Sequence, residues 1–258
     1  MKLFRSLFLV SAAAGLLLVA CDKKEVVSQL NLLSVAGQTN FKIVYASAYT
    51  TNYSVQLKIN DVRVSNNMTY STPFPGGGLN TGGSNFPWYM SMVGGDKKIS
   101  LSVAKVGTNT DSIMLSSNTT YFGPDTYYTA YLTDTGANTQ LVKRVEDITP
   151  PANSKSRYKF VNLIPNLPAA DLYWNTTKVA SNVPYQNFSP EFLLSEKDTG
   201  RWYIRPAGAL PASIQLAIYP PTTMPTQVVP NQRILTVFSR GYVGGTVNKV
   251  PAISLLFN

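Results

Sequence analysis

The stretch Ser54-Val55-Gln56-Leu57-Lys58-Ile59-Asn60-Asp61-Val62 alternates polar and apolar side chains, then breaks at an Asn-Asp pair before the next valine. Period-two alternation is what a strand needs when one face is buried and the other is wet, and Asn-Asp between two such runs reads as a hairpin turn. Ile99-Ser100-Leu101-Ser102-Val103 repeats the pattern, preceded by the turn residues Gly94-Gly95-Asp96. Pro206-Ala207-Gly208 separates the strands expected at Trp202 and Ile214. After the first 20 residues no amphipathic helical stretch is evident. About seven short strands in roughly 100 residues, punctuated by turns, predict an all-β fold of sandwich type.

Working outward, the chain contains a repeat. Phe41-Lys42-Ile43-Val44-Tyr45 matches Tyr158-Lys159-Phe160-Val161-Asn162 at an offset of 117. Leu57-Lys58-Ile59-Asn60 pairs with Leu172-Tyr173-Trp174-Asn175 at 115, and Tyr128-Thr129-Ala130-Tyr131 with Leu235-Thr236-Val237-Phe238 at 107. Between them Trp88-Tyr89-Met90 is set against Trp202-Tyr203-Ile204. The order predicts two tandem immunoglobulin-like or prealbumin-like β-sandwich domains, 40–147 and 157–258, with a proline-stiffened linker at 148–156. No cysteine pair exists to supply an immunoglobulin disulfide, and both topologies fit. The glycine-rich insertion at 73–87 lacks the lysine and helix of a phosphate loop and is read as a mobile loop.

The N-terminus fixes location. Lys2 and Arg5 precede an apolar run to Val19, the layout of an export signal at 1–20 rather than a membrane span. Leu18-Val19-Ala20-Cys21 resembles a lipobox, which implies cleavage before Cys21, lipidation of its sulfur and a tether over 21–39. One acyl chain binds membranes only marginally, so the several chains of such an anchor are what would hold the protein there. The expected setting is the cell envelope, at the outer membrane, on its surface or periplasmic face. Beyond the signal, 20 lysines and arginines (22 less Lys2 and Arg5) face 13 acids, a net charge of +7. Lys143, Arg144, Lys155, Arg157 and Lys159 gather near the linker as a basic band.

Composition excludes much chemistry. There is no histidine, which removes the usual general base and the commonest metal ligand. With the single Cys21 lipidated no thiol remains for zinc or redox work. The sequence therefore predicts no catalytic residue, no metal and no cofactor. Nucleic acid is not an expected partner of an exported chain without a binding module for it.

Phe160-Val161-Asn162-Leu163-Ile164-Pro165, Asp171-Leu172-Tyr173, Val183-Pro184-Tyr185 and Trp202-Tyr203-Ile204-Arg205-Pro206-Ala207-Gly208 together resemble the bacterial envelope family catalogued as domain of unknown function 4397, of Bacteroidetes type. The likeness spans most of 157–245. The first half follows it loosely, with Gln56 where Asp171 would align. The resemblance implies an envelope β-domain and carries no catalytic residues. Asp111-Ser112-Ile113 resembles an O-glycosylation acceptor of the same bacteria.

Strand parity assigns Trp88, Trp174 and Trp202 to the core and places Tyr89, Tyr173 and Tyr203 on the opposite, exposed side. Exposed aromatic rings stack on ligands, so these three tyrosines are the candidate binding residues. The expected function is a noncatalytic, lipid-anchored adhesion, scaffold or binding module whose partners are the membrane and another envelope protein. The alternative is a surface glycan-binding accessory lipoprotein of a polysaccharide uptake system.

Overall fold

The structure is a computed structural model that describes residues 37–258 apart from 50, 52, 83, 84, 136, 137, 211, 212 and 214. The signal expected at 1–20, Cys21 and the tether up to residue 36 lie outside the described residues. In chain order the first half holds β1 (Gln38–Tyr45), β2 (Gln56–Ile59), β3 (Val62–Arg63), β4 (Pro73–Phe74), β5 (Gly78–Leu79), β6 (Met90–Val93), β7 (Gly95–Ala104), β8 (Asp111–Phe122), β9 (Tyr127–Thr133) and β10 (Gln140–Glu146). The second half holds β11 (Lys155–Val161), β12 (Ala169–Trp174), β13 (Thr177–Pro184), β14 (Phe192–Ser195), β15 (Thr199–Gly200), β16 (Trp202–Pro206), β17 (Ala217–Tyr219), β18 (Gln227–Val228), β19 (Ile234–Arg240) and β20 (Ala252–Phe257). The protein is all-β.

Local chemistry explains the turns. Between β2 and β3, Asn60 and Asp61 both take positive φ (50° and 65°), the backbone of a two-residue hairpin turn, which Asn and Asp tolerate better than other side-chain-bearing residues. The Asn60 side-chain oxygen accepts from the Lys98 amide at 3.0 Å and fastens the turn to β7.

Four of the five sheets stack in layers, the fifth being the two-stranded pair β15-β18. The outer layer of the first half, β3-β2-β7-β8, packs on β10-β9-β1-β4 with β6 also paired to β1. Phe41, Ile43 and Tyr45 on β1 meet Leu57, Ile99 and Leu101 across that gap. In the second half β14-β11-β19-β20-β5 packs on β13-β12-β16-β17, with Phe160, Leu235 and Leu255 against Leu172, Trp202 and Ile204. The two middle layers face each other through Val44, Ala46 and Tyr131 on one side and Val161, Leu163, Phe238 and Leu256 on the other. Residues Gly37–Asn258 accordingly form one compact unit.

Equivalent strands pair in equivalent register. β1 runs parallel to β9 with Phe41 opposite Tyr128, and β11 runs parallel to β19 with Tyr158 opposite Leu235. The alignment of Trp88 with Trp202 is corrected by the pairing. Ile59 of β2 lies opposite Ile99, as Trp174 of β12 lies opposite Trp202, so the counterpart of Trp202 is Ile99. Phe41 lies opposite Met90 as Tyr158 lies opposite Phe192, which places Trp88 just before a strand equivalent to β14. Trp174 and Trp202 are buried, at 6 % and 0 % exposure, whereas Trp88 is 52 % exposed and stacks on Phe86 at 5.6 Å.

The insertion at 73–87 is also more than a loop. It contributes β4 to the first half's inner sheet and then crosses over, with β5 pairing to β20 so that Leu79 lies opposite Leu255. Leu79 packs against the second half's core. Gly77 permits the crossing: its φ is +103°, and a Cβ there would lie 1.9 Å from the Phe86 carbonyl oxygen.

Candidate functional site

On β12, Leu172 and Trp174 point into the core, so Asp171 and Tyr173 face outward. On β16 the same alternation sends Tyr203 and Arg205 outward, and the antiparallel register sets Tyr173 opposite Tyr203 and Asp171 opposite Arg205. From β13, Lys178 pairs with Tyr173. The outer face of this sheet therefore carries two aromatic rings between two cations.

Tyr173 departs from the exposed placement predicted for it, at only 3 % exposure. The physical reason is a roof of long side chains: the Lys178 ammonium and the Arg205 guanidinium each lie 5.5 Å from its ring centre. Tyr203 is half-buried beside it. A shallow hollow of about 260 Å³ opens there, lined by Tyr173, Asn175, Thr176, Tyr203 and Arg205. Tyr89 is not brought to this face. It lies half-buried in the first half, with the Lys42 ammonium 4.1 Å over its ring and Tyr127 edge-on at 5.1 Å.

Asp171 sets the geometry of the face. One carboxylate oxygen accepts from the Asn182 amide at 2.7 Å; the other accepts from the Gly208 amide at 3.2 Å and pairs with the Lys178 ammonium at 2.6 Å. Burial pushes its pKa up, but Lys178 and the two amides outweigh burial and hold the carboxyl below its usual value. Its lone pairs are committed to β13, through Asn182 and Lys178, and to the hairpin after β16, so its role is to position rather than to exchange protons. Arg205 donates to the Ser213 carbonyl, and its Nε is buried without a partner among the described residues. Asn175 is fixed by donating to the Thr199 carbonyl at 3.1 Å and accepting from the Arg201 amide at 3.0 Å.

Such a face offers flat rings, an amide and a guanidinium to a ligand that stacks and accepts hydrogen bonds. Sequence parity found the two tyrosines. It missed Lys178 and Arg205, whose contribution depends on strand register, although Arg205 stands inside the motif Arg205-Pro206-Ala207-Gly208. Among the described residues no group of three or more His, Cys, Asp or Glu is placed to hold a metal.

The basic band expected near the linker is largely neutralised. Arg157 pairs with Asp147 at 3.0 Å and with Glu191 at 3.3 Å, Arg144 reaches Glu191 at 3.8 Å, and Lys159 is bonded to Glu146. Lys155 donates to Ser195 at 2.9 Å, and Lys143 to Thr120 at 3.0 Å. Arg144, Arg157 and Lys159 bridge the halves instead of forming a free positive surface.

No family model matches the chain, and no curated protein matches it. Among solved structures it is similar to the Bacillus anthracis TIE protein, at 9% identity and a TM-score of 0.22, covering 86% of this chain and 43% of that one. It is similar also to a leucine-rich repeat protein from Bacteroides thetaiotaomicron VPI-5482, at 12% identity and a TM-score of 0.17, covering 81% of this chain and 26% of the other. The chain spans less than half the length of either, and likenesses this slight carry no argument.

Proposed function

We propose that the chain is a noncatalytic, lipid-anchored cell-envelope protein acting as an adhesion, scaffold or binding module, built from two tandem sandwiches of immunoglobulin-like or prealbumin-like kind. The observation that carries this reading is the seam between the halves. Lys42, Lys159, Thr129, Thr236 and Ser254 are all buried there. The Thr133 hydroxyl donates to the Leu163 carbonyl at 2.8 Å across it, and Lys42 donates to the Phe257 carbonyl. Halves joined by a buried apolar layer and by hydrogen bonds across it present fixed surfaces to a partner, whereas enzymes that close over a substrate need a joint that opens.

The lipobox-like Leu18-Val19-Ala20-Cys21 supports attachment to the outer membrane, and the likeness of 157–245 to the envelope family supports the same setting. Mass spectrometry of the native protein tests the anchor. The expected N-terminal peptide begins at a lipidated Cys21; an unmodified thiol on a protein free in the medium would overturn it. Crosslinking in intact cells is expected to capture an envelope protein.

The second reading, a glycan-binding accessory lipoprotein, is favoured by one observation: Tyr173, Tyr203 and Arg205 share a face. On a glycan array the wild-type protein is then expected to retain a sugar that Tyr203→Ala releases. Equal retention by both proteins removes this face as the site.

A further inference from the structure

A second surface, where the halves meet, is unlike the first. A cleft of about 570 Å³ is lined by Tyr53, Tyr70, Ser71 and Asn80 from the first half and by Arg240 and Asn248 from the second. Its shape is fixed. The Arg240 guanidinium donates to the Asn80 carbonyl at 3.2 Å and to the Ser254 hydroxyl at 2.8 Å, and the Asn80 amide donates to the Ile253 carbonyl at 2.6 Å.

Behind the Tyr70 ring stands Lys249. Its ammonium is 3.2 Å from the ring centre, and the Arg240 guanidinium is 5.2 Å from the same ring. Lys249 is 6 % exposed and its ammonium has no hydrogen-bond partner among the described residues. The backbone holds it there: the Tyr242 amide donates to the Lys249 carbonyl at 2.7 Å, and Gly241, at φ +101°, lets the turn close with the Val250 carbonyl oxygen 2.2 Å from where a Cβ would be. Lys249 also borders a neighbouring hollow of about 530 Å³ with Tyr49, Thr135 and Tyr242.

Two cations thus converge on one tyrosine, and neither makes an ion pair with a carboxylate among the described residues. Burial, with Arg240 nearby, lowers the Lys249 pKa to about 8, so the ammonium is still mostly charged at neutral pH. A buried charge without a partner is costly, and a ligand that supplies the opposite charge recovers that cost. The rest of the lining, two phenols, two hydroxyls and two amides beside the apolar Val250 and Ala252, is suited to a ligand rich in hydroxyl groups, and the volume is in the range of small-molecule sites.

We propose that this cleft binds a saccharide bearing an anionic group, carboxylate or phosphate, with Arg240 contacting the anion and Lys249 supplying the second positive charge through Tyr70. The proposal is independent of the anchor and of the Tyr173–Tyr203 face. Isothermal titration of the full chain in detergent tests it, with D-glucuronate and glucose 6-phosphate as probes and glucose and inorganic phosphate as controls. Both charged sugars are expected to bind at least tenfold more tightly than glucose, and glucose 6-phosphate more tightly than phosphate. Lys249→Met keeps the apolar stem on Tyr70 and is expected to weaken charged-sugar binding about tenfold. Raising salt on the wild-type protein, which needs no variant to fold, should weaken it as well. Glucose binding as tightly as glucuronate, phosphate binding as tightly as glucose 6-phosphate, or affinity indifferent to both salt and Lys249→Met would overturn the proposal.

Discussion

At the scale of single residues, the seam depends on a carboxylate and an ammonium shut away from water, Glu146 on β10 and Lys159 on β11. Removing one partner strands the other charge, so Glu146→Ala is expected to cost about 3–5 kcal/mol in urea unfolding. Replacing both with apolar groups of similar size, Glu146→Leu with Lys159→Met, should return stability to within about 1 kcal/mol of wild type or raise it. Lys42 makes the fold sensitive to pH. Burial drives its ammonium down to about 7, against the pull of Glu146 and with the push of Lys159. In the unfolded chain a lysine keeps its proton to about pH 10.4. Between pH 7 and about 10 the unfolded state therefore binds more protons and stability rises with pH, Lys249 contributing in the same direction. Above about pH 10 the order reverses, because buried Tyr45, Tyr131 and Tyr158 have raised pKa values and the unfolded tyrosines ionise first. The urea midpoint is expected to climb from pH 7 to 9 and fall by pH 11; a flat course from 7 to 9 would show that Lys42 stays charged.

At the scale of elements, β5 is the strand whose loss would be felt farthest away. Gly77→Ala forces a side chain into the Phe86 carbonyl at positive φ, where backbone cannot yield. An expected cost of about 2–4 kcal/mol follows, with hydrogen-exchange protection falling in β20, the strand that β5 covers. Nothing in the sequence marks this crossing, because a two-residue strand in a glycine-rich segment has no period to read. The alternation in 54–59 and 99–103, by contrast, was enough to place β2, β7 and the hairpin between β2 and β3. Parity likewise put Trp174 and Trp202 inside. It failed at Trp88, where a similar Trp-Tyr-apolar triplet concealed a different register, and at Tyr173, where parity gave the right face but could not foresee that Lys178 and Arg205 would lie over the ring. The cleft around Lys249 was illegible for a related reason: its residues come from three distant stretches that only folding brings together.

At the scale of the whole molecule, the exposed connection at 147–150 does less to hold the halves together than the surfaces they share. A protease site inserted after Thr149 should leave two fragments that co-elute as one species and melt in one transition; separate peaks would show that the covalent link was doing the holding. The layered order also fixes a distance. Packed sheets sit about 10 Å apart, so the outward faces of β3-β2-β7-β8 and β13-β12-β16-β17 lie about 30 Å from each other and look in opposite directions. Two bodies gripping those faces would be kept at a set gap, each blind to the other, with the protein between them serving as a gauge block.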